Sequence, residues 1–140
     1  MATARSVARR LVAGPWSFPG RPLSNRAPWT VQPIEESSFQ SMADTVLDHI
    51  NDVLDHNERV DIEHSDGVLT IVSADKHWVI NKQTPNRQLW LSSPMSGPSR
   101  YDYISEHNQW MDSRSHIPLK QILEDEFTNA LYSPIKFDEF

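Results

Sequence analysis

Cysteine is absent from all 140 residues, which excludes disulfides, thiolate metal sites and a cysteine nucleophile. Glycine is scarce, four in the chain, and no glycine-rich loop exists to cradle a phosphate. There is no serine elbow of the hydrolase type, and no apolar run approaches the ~20 residues of a membrane span. The six histidines, His49, His56, His64, His77, His107 and His116, are scattered without the paired spacing of a zinc site. No catalytic residue is assigned on these grounds, and whether the chain is an enzyme stays open.

Acid is absent from the first 30 residues, and base is scarce after them. Residues 1–30 carry five arginines, Arg5, Arg9, Arg10, Arg21 and Arg26, and no Asp or Glu. Taking those five from the thirteen basic residues leaves eight against nineteen acids, a net of -11 over 31–140. A body so acidic repels nucleic acid and anionic lipid and favours cations or basic protein surfaces. Helical spacing in the leader sets Arg5 and Arg9 opposite Ala4, Val7 and Leu11, the make-up of a mitochondrial transit peptide. Gly14, Pro15, Pro19, Gly20, Pro22 and Pro28 then forbid a continuous helix. Residues 1–33 are therefore expected to be a removable or disordered leader, and 34–140 the folded domain.

A helix opens that domain. Ser37 with Gln40 fits a capping box, and Phe39, Met42, Ala43, Val46, Leu47, Ile50, Val53 and Leu54 recur at helical spacing. Asp44, Asp48, Asp52 and Asp55 gather nearly opposite the apolar arc. Such a stripe is ordinarily only a solvated face. Ordinary faces, however, interleave lysine with glutamate, whereas no Lys or Arg occurs between Glu35 and Glu58. Each like-charged neighbour costs roughly 0.2–0.5 kcal/mol, and a cost left uncompensated suggests use. Glu58, Asp61 and Glu63 prolong the acidity into the next element. Carboxylate-only sites on an open face suit hard cations and hold them weakly, because water competes at every position. Iron, calcium and manganese all satisfy that description.

Strands follow. Val60, Ile62 and His64 alternate with Asp61 and Glu63, Asp66-Gly67 marks a hairpin, and VLTIV continues. Further strands are expected around 77–83, 87–92, 100–105 and 109–112, with a loop over Ser93–Ser99, and a second helix over 118–131. Glu126 falls inside that helix's apolar arc, where a satisfied buried carboxylate, or one reaching the rim, is expected rather than a catalytic one. Strands flanked by a helix at each end predict an α+β two-layer sandwich, two helices packed on one face of a largely antiparallel sheet. The other face is expected to be wet, with Ile135, Phe137 and Phe140 of the tail filling the gap between helices. On that wet face, period-two alternation sets Trp90 apart from Leu89 and Leu91. Pairing through Thr84-Pro85-Asn86 brings Asn81, Gln83, Gln88 and Trp90 onto one surface. A tryptophan ringed by amides is a docking platform more than a core residue.

The run VINKQTPNRQLWLSSPMSGPSRYDY, with DGVLTI before it, resembles the signature segment of the frataxin family. The resemblance covers roughly 37–132 and implies a protein of the mitochondrial matrix that serves iron–sulfur cluster assembly. It implies weakly bound Fe2+/Fe3+ on an acidic ridge, here Asp44, Asp48, Asp52, Asp55, Glu58, Asp61 and Glu63. It also implies contacts with a cysteine desulfurase and its scaffold protein through Asn81, Gln83, Gln88, Trp90 and Arg100. The expected role is an iron chaperone and activator of that complex, a monomer able to oligomerise on iron. An iron-oxidising storage protein and a metal-independent acidic adaptor remain as alternatives. Tyr103 stands where many members carry tryptophan, and the 74–77 turn lacks their glycines.

Overall fold

The computed structural model describes Trp16 and residues 28–140. Most of the expected leader, including its amphipathic arginine face, thus lies outside the described residues. Element order is α1 (Glu36–Leu54), β1 (Asp61–Ser65), β2 (Val68–Ser73), β3 (Lys76–Gln83), β4 (Gln88–Ser93), β5 (Gly97–Ile104), β6 (Gln109–Asp112) and α2 (Leu119–Leu131). The strands form one antiparallel sheet in simple sequential order, β1 to β6. Tight turns suffice to connect them. At Asp66-Gly67 both residues are left-handed (φ 52° and 74°), the backbone that a two-residue hairpin needs.

Both helices lie on one face, as the expected α+β sandwich requires. Phe39, Leu47, Ile50 and Leu54 of α1 and Leu119, Leu123, Phe127 and Leu131 of α2 share a core with Leu69, Ile71, Trp78, Ile80, Leu89, Leu91 and Tyr101 of the strands. Alternation does the sorting, since β2 and β4 bury every second residue. Glu126 is the polar element of this core. It is buried, and it accepts hydrogen bonds from Trp78 Nε1 at 2.9 Å, from Ser93 Oγ, and from Ser96 Oγ at 2.6 Å. One carboxylate on α2 thereby ties β3 to the β4–β5 turn.

The tail closes the seam between helices as expected, with Ile135 and Phe137 buried and Phe140 packed against the core. Its amides are held from both sides. Phe137 N donates to Glu124 Oε2 at 2.8 Å on α2, and Asp138 N donates to His49 Nε2 at 2.9 Å on α1. Burial alone would raise the Glu124 carboxyl. The Phe137 amide and the charges of Lys120 and Lys136 outweigh it and hold the group below its ordinary 4.5. A depressed folded-state pKa gives stability that is present above 4.5 and is lost as pH falls through the folded value. Glu124→Gln should therefore cost about 1 kcal/mol at pH 7, and the gap to wild type should close in acid. Thermal unfolding at the two pH values checks this, and a gap that widened in acid would reverse the assignment.

Three local expectations need correction. Ser37 is not the helix cap: α1 starts at Glu36, Glu35 takes the cap position without a side-chain bond, and Gln40 Nε2 instead donates to Thr84 Oγ1 at 2.9 Å. The Ser93–Ser99 stretch is not a loop, because Ser93 Oγ accepts from the amides of Met95 and Ser96 and closes a turn leading straight into β5. Pro98 is tolerated there because β5 has no β6 partner before Tyr101. The face opposite the helices is not wet throughout. Ile104 and Met111 share the Trp90 face by register yet are 1% and 7% exposed, outside the core cluster.

Candidate functional site

The acidic stripe comes together at one edge of the molecule. Asp48, Asp52 and Asp55 are exposed along and just beyond α1, Glu58 is exposed in the connection, and Asp61 and Glu63 are the outward residues of β1. Helix and strand pack side by side, so the two rows of carboxylates adjoin.

Asp44 departs from the expected pattern. Lys82 rises from the helix side of β3 and its Nζ lies 2.6 Å from Asp44 Oδ1, with the lysine side chain 17% exposed. The missing counter-ion is thus supplied by a residue distant in sequence. A Cβ at Gly67 would come within 3.0 Å of Lys82 Cε, so the hairpin turn helps to aim the ammonium at the helix. Asp48 Oδ1 has His64 Nδ1 at 3.4 Å, a charged partner only when that imidazole is protonated. Among the described residues, Asp52, Asp55, Glu58, Asp61 and Glu63 have no cationic side chain within ion-pair distance. No three acidic or histidine side chains among the described residues converge into a ready-made metal cage either. Single or paired carboxylates completed by water are what this edge offers a cation, and such sites are weak and exchangeable.

The second surface is the sheet face turned away from the helices. Register sets Asn81 opposite Trp90, Gln83 opposite Gln88, and Trp90 opposite Arg100, so all five expected contact residues share it. Side-chain bonds knit them. Trp90 Nε1 donates to Gln88 Oε1 at 2.8 Å, Gln83 Nε2 to Asn81 Oδ1 at 3.0 Å, and Gln88 Nε2 to Asp102 Oδ1 at 3.0 Å. Each bond fixes a rotamer and lowers the entropy that a partner would otherwise have to remove. The indole is half-buried rather than fully open, and Trp16 lies against it with ring centroids 5.7 Å apart. Glu63 reaches the same face through the row Glu63, Thr70, Val79 and Ser92. The ridge therefore turns the corner of the sheet toward the tryptophan.

Two aromatic residues of the N-terminal stretch escaped sequence reasoning, Trp16 on Trp90 and Trp29, whose ring lies 5.6 Å from His107 and 5.1 Å from His116. The signal was present. Trp16 and Trp29 both stand in the sequence of that stretch.

The α+β sandwich thus presents a carboxylate edge and, on its open face, an amide-framed tryptophan. Comparison with known proteins names the class: residues 32–133 match the model of the frataxin-like domain, and the chain belongs to that family. It is 35% identical to the mitochondrial frataxin of Arabidopsis thaliana over 86% of this chain and 70% of that one. The mitochondrial frataxin of Dictyostelium discoideum is 54% identical over 49% of this chain, and the matched stretch spans only 36% of that relative. The frataxin of Psychromonas ingrahamii superposes with a TM-score of 0.67 at 25% identity, covering 76% of this chain and all of that one. A trimeric frataxin from Saccharomyces cerevisiae, complexed with ferrous iron, superposes at 0.57 with 34% identity over 76% of this chain and 94% of its own. The protein is a mitochondrial frataxin-family member.

Proposed function

We propose that the protein serves iron–sulfur cluster assembly in the mitochondrial matrix, carrying Fe(II) loosely on the α1–β1 ridge and docking through the Trp90 face onto a cysteine desulfurase–scaffold complex. Iron is cargo in this reading, and loose holding suits cargo that must be handed on. The observation that carries it is the adjacency of the two surfaces: five carboxylates that have no cationic partner among the described residues turn the sheet corner toward a bonded tryptophan–amide platform. Asp48, Asp52, Asp55, Glu58, Asp61 and Glu63 are proposed to meet the metal or a basic partner surface. Asp44, committed to Lys82, is the weakest member of that set.

Charge on such a rim acts mainly on encounter. Raising salt from ~0.01 to 0.15 M shrinks the screening length from about 30 to 8 Å and should slow association with the complex. A variant with Asp48, Asp52 and Asp55 changed to asparagine should associate more slowly at low salt and lose most of that dependence. Anaerobic Fe(II) calorimetry on the two proteins separates cargo from adaptor. The absence of a convergent metal cage among the described residues favours the adaptor as a second reading. Equal Fe(II) heats from both proteins would remove the metal from Asp48, Asp52 and Asp55 and favour the adaptor.

A further inference from the structure

Strand β5 outruns its neighbour. It begins at Gly97, but β6 pairs with it only over residues 101–104. Past Asp112 the chain leaves the sheet. Ser113 N still donates to the Arg100 carbonyl at 3.0 Å, and Asp112 then closes a turn by accepting from the amides of Arg114 and Ser115 and from Ser115 Oγ. Where a longer β6 would have run, a cleft of about 480 Å³ opens between the start of β5, the β6–α2 connection and α2. Small-molecule sites occupy roughly 300–1,000 Å³, so the cleft has the size of one.

Its walls differ in chemistry. Pro98 of β5, Ile117 of the connection and Ile122 of α2 supply an apolar side, and Ile117 is one of the large hydrophobic side chains left exposed. Arg100 and Arg114 line the cleft as well. The other cations of 31–140 have work within the fold: Arg59 lies over the Tyr132 ring, Arg87 bonds the Ile34 and Thr84 carbonyls, Lys76 pairs with Asp75, Lys82 with Asp44, and Lys120 and Lys136 with Glu124. Arg100 belongs to the row that carries Trp90. Among the described residues, Arg114 alone of the lysines and arginines has no ion-pair, carbonyl or ring partner for its side chain. Two of the cleft's acids are already committed. Asp112 and Glu126 are buried, the first holding its own turn and the second accepting from Trp78, Ser93 and Ser96, which leaves Asp125 as the exposed acid. Arg114 thus brings an uncommitted positive charge to an aliphatic wall, in a domain that is otherwise strongly acidic.

We propose that this cleft binds a small organic monocarboxylate with an aliphatic body: the Arg114 guanidinium takes the carboxylate, Arg100 adds to the positive wall, and Pro98, Ile117 and Ile122 cover the hydrocarbon. A guanidinium presents paired N–H donors that match the two oxygens of a carboxylate. The aliphatic wall rewards a hydrocarbon body, which inorganic anions lack. Asp125 and the acids of the floor penalise a second negative charge, so dianions are selected against. The cleft lies apart from the carboxylate ridge and requires neither metal nor the assembly complex, so it stands independently of the proposed function.

The test is a titration of the full 140-residue chain, labelled with 15N, by 4-methylpentanoate. Saturable amide shifts should be confined to residues 96–100, 113–117 and 122–126, and absence of such shifts overturns the site. 4-Methylpentanamide has the same body without the charge and should bind about tenfold more weakly or worse; equal binding overturns the role of charge. Arg114→Gln should weaken the acid by about five- to thirtyfold and leave the amide unaffected. Loss of both ligands alike would make Arg114 a structural residue and overturn its assignment. Asp125→Asn should tighten the acid by about two- to fivefold, a gain that no loss of packing produces, and a weakened acid would overturn the discrimination against added negative charge. Inorganic phosphate should bind more weakly than 4-methylpentanoate, and phosphate binding as tightly would overturn the ligand class.

Discussion

Trp90→Ala should weaken docking on the desulfurase–scaffold complex by about thirtyfold or more while the domain stays folded. A tryptophan at the centre of a polar ring typically costs 2 kcal/mol or more on truncation, and 1.4 kcal/mol is tenfold in affinity. The side chain stands outside the hydrophobic core cluster, whose β4 members are Leu89 and Leu91 on the opposite face. Its loss removes the bond to Gln88 and the contact with Trp16, both of which lie at the surface of the fold rather than within it. Thermal stability should fall by only a few degrees, in keeping with about 1 kcal/mol in a domain of this size. Leu89→Ala is the matched control. One residue away and fully buried, it should cost about 2–5 kcal/mol of stability yet leave the affinity of the folded fraction near wild type. Calorimetric melting and titration of both variants read the contrast. If Trp90→Ala docked like the wild type, the open face would not be the docking surface.

The contrast between Leu89 and Trp90 was legible from sequence because a strand's side-chain period leaves no freedom once two leucines claim the core. Register followed for a related reason: the Thr84–Arg87 turn leaves few ways to pair β3 with β4, and Asn81 opposite Trp90 is the outcome. Glu126 was legible as an acid inside an apolar arc, a position that only a bonded carboxylate can hold. What escaped was non-local. Lys82 and Asp44 are far apart in sequence and meet only because a helix crosses the sheet, so a stripe read along one helix could not reveal its counter-ion. The helix cap is not legible locally, because the tertiary contact of Gln40 with Thr84 replaces the capping box. The average composition of the leader conceals its two tryptophans, which single ring contacts make informative.

Trp78→Ala is the substitution expected to damage the fold most. The indole is wholly buried, its ring centroid lies 4.7 Å from that of Phe127, and its Nε1 is one of three donors to Glu126. Truncation opens a cavity between β3 and α2, costing about 3–5 kcal/mol, a large part of the 5–15 kcal/mol typical of a whole domain. A melting temperature lowered by roughly 15–30 °C is the corresponding observable. Trp78→Phe separates packing from bonding. It keeps an aromatic ring against Phe127 but removes a donor from a buried carboxylate, and should cost about 1–3 kcal/mol. The consequence reaches the Trp90 face, because the same carboxylate receives Ser93 and Ser96 of the β4–β5 turn. Trp90 and Arg100 stand opposite each other on the two strands that this turn joins. Trp78→Phe should therefore quicken amide exchange at Met95 and Ser96, whose hydrogens Ser93 Oγ accepts, before it alters exchange in β2. Uniform acceleration across the sheet would mean that Glu126 supports the core alone and has no separate hold on the turn.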